Sequence, residues 1–154
     1  MSVNRRLPVE GNIEVGGVLV DLDEAYEQLK IDPNHIVDQL IDQPAFYSYW
    51  GHLAEEADTV LLSARRHLDR VEAEVDDRLR GEARNADEKV TEALIGRRIL
   101  LEDDYQEALD DMIDARRNAG YLGVHKRAAE QRLQALMAVN NRDRSEMASI
   151  GREG

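Results

Sequence analysis

The chain has no cysteine in 154 residues, which excludes a disulfide framework and thiolate metal ligation and makes a reducing cytoplasm its expected home. Proline occurs only at Pro8, Pro33 and Pro44, so everything after Pro44 is free of the strongest helix breaker. Aromatic residues amount to 5%, with a single Phe and a single Trp. That is little bulk for an ordinary globular core, because aromatic side chains bury the most area each. No apolar run approaches the roughly 20 residues that span a bilayer, so no membrane association is expected. Arg5 and Arg6 are followed by no apolar stretch of the kind a signal peptide needs.

Charge is what the chain has in quantity, with Asp, Glu, Lys and Arg making up 34% of residues and a net charge of −12. Ala, Leu, Glu, Asp and Arg dominate, a mixture suited to long helices with a narrow apolar seam and a wide solvated face. The charge is uneven. Residues 1–43 hold three basic and nine acidic groups. Residues 116–144 hold seven basic groups, Arg116, Arg117, Lys126, Arg127, Arg132, Arg142 and Arg144, against Glu130 and Asp143. An acidic head followed by locally basic segments can serve two different partners, although solvated helix faces of mixed charge read the same way.

Residues 1–20 read as a flexible arm in which Gly16-Gly17, flanked by Ile13, Val15, Val18 and Val20, can make a hairpin turn if a neighbour supports it. Asp21 with Glu24 forms a capping-box-like start for a short acidic helix bearing Leu22, Tyr26 and Leu29 on one face. Gln43-Pro44 then opens a long helix over about 44–80, with Pro44 in the first turn, where its missing N–H costs nothing. Trp50, Ala54, Ala57, Leu61, Ala64, Leu68, Val71, Val75 and Leu79 recur along it at alternating spacings of four and three, a heptad seam. Gly81 and the following polar run end or weaken that helix. A shorter helix is expected over about 88–101, capped by Asp87, with Val90, Ala93, Leu94 and Leu101 as its apolar face.

Acidic Glu102-Asp103-Asp104 marks the start of a second long helix over about 103–141, because negative charge favours the helix N-terminus. Its seam runs through Tyr105, Ala108, Met112, Ala115, Ala119, Leu122, Lys126, Ala129, Leu133, Leu136 and Asn140. The expected fold is therefore all-α: a long antiparallel, coiled-coil-like helical hairpin within a domain over 21–145, short N-terminal helices before it and a tail over 146–154 after it. Alanine-rich seams bury little area, and Gly120 and Gly123 cost about 1 kcal/mol each in helix propensity. Association into a homo-oligomer is the ordinary remedy for such a deficit.

Chemistry is sparse. None of His35, His52, His67 and His125 has Glu three residues before it, so the Glu-x-x-His pattern of di-iron bundles is missing. His52 and Glu56 could form a metal pair on one helix face, but a solvated polar pair explains them as well. There is no His-Glu-x-x-His, phosphate loop or dinucleotide fingerprint, and Glu72, Glu74, Asp76 and Asp77 lack an apolar shell to raise a pKa. No enzyme, cofactor, metal site or small-molecule substrate is expected. Phe46-Tyr47-Ser48-Tyr49-Trp50 holds four of the aromatic residues. These can stack on bases, but an aromatic plug at a helical junction is the simpler reading. The basic residues near the hairpin tip, Arg78, Arg80, Arg84, Lys89, Arg97 and Arg98, can track the phosphates of a flexible strand in a salt-sensitive manner.

The layout over roughly residues 21–145 resembles bacteriophage recombination mediator proteins of the UvsY type. The resemblance rests on an acidic leading helix, then Tyr47-Ser48-Tyr49-Trp50-Gly51-His52 at a long helix start. It continues with a loop carrying Arg78, Arg80 and Arg84, the stretch Lys89-Val90-Thr91-Glu92-Ala93, and an acidic restart at Asp103-Asp104-Tyr105. It implies ring-like homo-oligomers that bind single-stranded DNA and help a RecA-like recombinase replace single-strand-binding protein. In that family a basic stretch after the first long helix is implicated in DNA binding, and the matching positions are Arg78, Arg80, Arg84 and Lys89. Here the stretch is interrupted by Glu82, Asp87 and Glu88. The alternative reading is a coiled-coil structural or scaffolding protein that binds only protein, and the 116–144 segment is the alternative DNA-binding face.

Overall fold

Gly16 and Gly17 have φ of +56° and +78°, the left-handed pair that a two-residue hairpin turn of the primed type demands. They join strands β1 (Asn12–Val15) and β2 (Val18–Asp21), which pair antiparallel with Ile13 opposite Val20 and Val15 opposite Val18. A Cβ added at Gly16 would come within 2.5 Å of the exposed Glu56 side chain, which would have to move aside, but it is the backbone angle that calls for glycine there. The computed structural model describes residues 11–151. Residues 1–10 of the expected arm therefore lie outside the described residues. Residues 12–20 of that arm, with Asp21, form the hairpin that Gly16-Gly17 allowed, and Ile13, Val15 and Val20 are buried in it. A lone hairpin needs a supporting neighbour. Helix α1 (Leu22–Gln28) and the aromatic pair Tyr49 and Trp50 provide it, lining one depression together with residues of β2.

Asp21 is the N-cap of α1, its carboxylate accepting from the backbone N–H of Asp23 and Glu24 at 2.9 and 3.0 Å. The buried face of α1 is Leu22 and Ala25; Tyr26, expected on it, is exposed. Asp32 then accepts from Asn34 N–H at 2.9 Å, and the Gln39 amide donates to the carbonyls of Asp32 and His35 at 2.7 and 2.9 Å. These contacts start α2 (Ile36–Asn85) at Ile36 and not at Pro44. Pro44 sits inside the helix, where it removes the donor that would reach the Leu40 carbonyl and sets its ring against that carbonyl.

The chain divides into two units, residues 1–56 with 120–154, and residues 57–119. In the first unit, α2 packs antiparallel on the C-terminal part of α4 (Asp103–Ile150). Gln43, 1% exposed, donates to the Ala129 carbonyl at 2.7 Å. Arg132 donates to the amide oxygens of Gln43 and, at 2.9 Å, Gln39, and its guanidinium lies 5.1 Å from the Phe46 ring centroid. Trp50 and His125 are buried with ring centroids 5.0 Å apart. Most of the expected seam is observed here, with Trp50, Ala54, Leu122, Ala129 and Leu136 buried, but Leu133, expected on it, is exposed.

In the second unit, Val71, Val75, Leu79, Ile95, Ile99 and Ala108 form the core, with Leu68, Val90 and Tyr105 packed against it. The helix α2 outlasts Gly81 and ends at Asn85 in a Schellman arrangement. Asp87 has φ +52°, Glu88 N–H reaches the Ala83 carbonyl at 2.9 Å and Asp87 N–H the Arg84 carbonyl at 3.2 Å. Asp87 thus terminates one helix and does not cap the next. The cap of α3 (Glu92–Ile99) is Thr91, whose hydroxyl accepts from Leu94 N–H at 3.3 Å. Its core side chains are Ile95 and Ile99, and the expected Leu101 is 81% exposed. At the far end α4 continues past 141 to Ile150, since neither proline nor glycine interrupts it before Gly151. The first five residues of the expected tail are therefore helical. The all-α expectation holds: two long helices pack in each unit, and the short hairpin is a minor addition.

Candidate nucleic-acid interface

The six cations predicted to form the tip site lie in the second unit, and the structure sorts them into two groups. Arg78, Arg80 and Arg98 are committed to carboxylates. Arg78 donates to Glu102 at 2.6 Å, with Glu82 at 3.8 Å. Arg80 bridges Asp76 at 2.7 Å and Glu92 at 2.6 Å, fastening the last turns of α2 to the first turn of α3. Arg98 donates to Glu88 at 2.6 Å, tying α3 to the connector. These contacts are charge-assisted, and those of Arg80 and Arg98 are bidentate. They lower the carboxyl pKa values of Asp76, Glu88 and Glu92 from their ordinary range through hydrogen bonds from Arg80, Arg98 and Arg80 respectively. The same bonds raise the guanidinium values.

Arg84, Lys89 and Arg97 form the second group. All three are exposed. Arg84 donates from Nε to the Arg80 carbonyl at 3.3 Å, which leaves its other guanidinium donors outward. Among the described residues, no carboxylate pairs with any of the three. Three of the six predicted cations are thus without a carboxylate partner among the described residues, on the last turn of α2, the connector and α3. Residues 76–104 hold those six cations against nine carboxylates, so the segment is acidic overall and its positive potential is local to the free side chains.

The alternative basic segment fares similarly. Arg116 and Arg117 belong to the second unit and the other five cations to the first. Arg132 is turned inward onto Gln39 and Gln43, and burial lowers its guanidinium pKa. Lys126 is held by Glu55 at 3.3 Å and Arg117 by Asp114 at 3.1 Å. Arg116, Arg127 and Arg144 are exposed and, among the described residues, have no carboxylate partner.

Sequence reasoning missed the polar interior of the first unit: Gln43, His125 and Arg132. The indole N–H of Trp50, Nε2 of His125 and Nε of Arg132 are buried and have no hydrogen-bond partner among the described residues. His125 falls one position off the predicted seam, so the heptad pattern gave no reason to place it inside. The aromatic cluster divides: Trp50 is buried and Phe46 meets it edge-on at 6.3 Å, as a plug would, while Tyr47 and Tyr49 are exposed. His52 donates from Nδ1 to the Ser48 carbonyl at 2.7 Å and makes no pair with Glu56. Among the described residues, no three metal-ligating side chains cluster, and no helix is long and apolar enough to cross a membrane. Comparison of the chain with protein-family models, curated proteins and solved structures gave no match.

Proposed function

We propose that this protein is a non-enzymatic recombination mediator: a homo-oligomer that binds single-stranded DNA and helps a RecA-like recombinase load in place of single-strand-binding protein. Beyond the resemblance to mediators of the UvsY type, one observation carries the reading. Arg84, Lys89 and Arg97 stand exposed and, among the described residues, unclaimed by carboxylates, while Arg78, Arg80 and Arg98 hold the tip together. Free cations around a well-fixed turn suit a flexible phosphate backbone, which is bound by charge without sequence preference. Several copies in a ring would multiply weak contacts made at single tips.

Fluorescence anisotropy of a labelled single-stranded oligonucleotide tests this, with salt titration and duplex for comparison. Preferential single-strand binding is expected, and Arg84→Glu/Lys89→Glu/Arg97→Glu should weaken it by roughly tenfold or more while reducing the salt slope. Circular dichroism of the variant shows whether the helices survive. Unchanged binding by a folded variant would transfer the contact to Arg116, Arg127 and Arg144.

A second reading, a scaffold that binds only protein, is favoured by the excess of carboxylates over cations in residues 76–104. No oligonucleotide binding at low salt, from folded protein, would select it.

A further inference from the structure

In the second unit, α2 and α4 leave a depression of about 490 Å3 floored by Val71, Val75 and Ala108. Its walls carry Glu74, Asp104, Glu107 and Asp111, with His67 and Arg78. A neighbouring depression of about 440 Å3 continues through Val60, Ala64 and Ala115 and shares His67 and Asp111 with the first. Together they make a trough along the two helices. The trough exists because two helices cannot cover both flanks of one seam: Val60 on its wall is 39% exposed, and Ala64, a predicted seam position, is only half-buried. A third helix laid along the trough would cover them, and the small side chains Ala64, Ala108 and Ala115 leave room for its backbone.

The electrostatics select the kind of helix. Arg78 is already claimed by Glu102 at 2.6 Å. Among the described residues, no cation pairs with Glu74, Glu107 or Asp111, so the walls present uncompensated negative charge above an apolar floor. We propose that this trough docks a basic amphipathic helix of a partner protein, apolar face down and cations against Glu107 and Asp111. A second copy is the poorer occupant trough to trough, because its own trough has the same acidic walls and like charges repel. A helix read by an apolar stripe and fixed in register by rim charges is an established recognition mode. The docking site does not depend on the DNA-binding reading, since it uses none of Arg84, Lys89 and Arg97.

The full-length chain can be titrated against a fluorescein-labelled peptide of leucine and lysine in heptad register, and against a scrambled peptide of equal composition. The heptad peptide is expected to bind and gain helicity, and the scrambled one to bind far more weakly. Glu107→Gln/Asp111→Gln, which removes the charge and keeps polar side chains there, should weaken the heptad peptide by about fivefold through the lost rim charges. Ser63→Trp, which fills the trough without touching its charge, should weaken it as well. Equal binding of both peptides would show general charge attraction and overturn the proposal, as would undiminished binding by either variant. Sedimentation that shows self-association of the wild type abolished by Glu107→Gln/Asp111→Gln would also overturn it, by assigning the trough to a second copy.

Discussion

The two units of this chain use the same pair of long helices but hold them by different means. The first unit, residues 1–56 with 120–154, is keyed by specific polar and aromatic contacts inside the interface: Gln43 to Ala129, Arg132 to Gln39 and Gln43, and Trp50 against His125. The second, residues 57–119, has an aliphatic core around Ile95 and sets its charges on the surface, where Arg78, Arg80 and Arg98 clamp the turn. Heptad seams alone do not fix pairing register well, because a shift of seven residues again places seam on seam. A buried amide that must meet one particular carbonyl does fix it. The first unit is thus built for uniqueness of register, and the second for a turn whose outer surface stays polar.

The largest test of this difference removes one buried side chain from each core. Trp50→Ala should cost about 3–5 kcal/mol and Ile95→Ala about 2–5 kcal/mol in urea unfolding. If the units are separate packing modules, amide hydrogen exchange in each variant should accelerate chiefly in its own unit. Uniform acceleration across both would dissolve the distinction.

A smaller effect is expected from the polar key. Gln43→Leu alone leaves one Arg132 donor facing an apolar group, the other keeping Gln39, and should cost about 1–3 kcal/mol. Gln43→Leu/Arg132→Met removes both halves and should recover to within about 1 kcal/mol of wild type or exceed it, since buried polar pairs often add specificity more than stability. Cysteine cross-linking across the two helices would report the cost in another form, as loss of a single register in the double variant. A double variant as unstable as Gln43→Leu would show the pair to be stabilising in its own right.

Much of this fold was legible in the sequence for a physical reason. A helix seam recurs with fixed period, so Val71, Val75, Leu79, Ala108, Leu122, Ala129 and Leu136 were identifiable from spacing before any partner was known. The start of α2 was not, because Pro44 is equally at home in a first turn and in a helix whose neighbours hold it. The Asp32–Gln39 contacts that decide the matter have no periodic signature. At the tip, Thr91 was overlooked as a cap in favour of Asp87, whose positive φ makes it a terminator. The six candidate cations were all readable, but their sorting was not, since Arg80 is linked to Glu92 twelve residues away and Arg78 to Glu102 at a separation of 24. The Gln43–Arg132 contact spans 89 residues and depends on a register that the heptad pattern leaves open.

The surface ion pairs of the second unit should contribute less than its core. Arg80→Ala loses the bridge to both Asp76 and Glu92, yet all three side chains reach solvent. The expected loss in thermal midpoint is a few degrees, shrinking as salt is raised. A loss as large as that of Ile95→Ala, or one insensitive to salt, would mean that the turn depends on the clamp more than on the aliphatic core.

The smallest expected effect lies in the first unit, at the one described pair that neutral pH can switch. His35 Nδ1 lies 2.7 Å from the Asp32 carboxylate, and the hydrogen bond with Asp32 raises the imidazole pKa above its ordinary 6.5. The Asp32 value is lowered below its ordinary 3.8, first by the Asn34 backbone N–H and then by His35. A raised histidine stabilises the fold fully below 6.5 and loses that contribution as pH rises through its folded value. A depressed carboxylate contributes above 3.8 and loses its share as pH falls through its own folded value. Both contributions are therefore complete only between those limits, and both are small because the pair is solvated. The His35 ring resonances should titrate with a midpoint above 6.5 and return toward it in Asp32→Asn. An ordinary midpoint in the wild type would mean that the α2 start is held by Gln39 alone, which Gln39→Ala would then expose as a loss of helicity at the first turn.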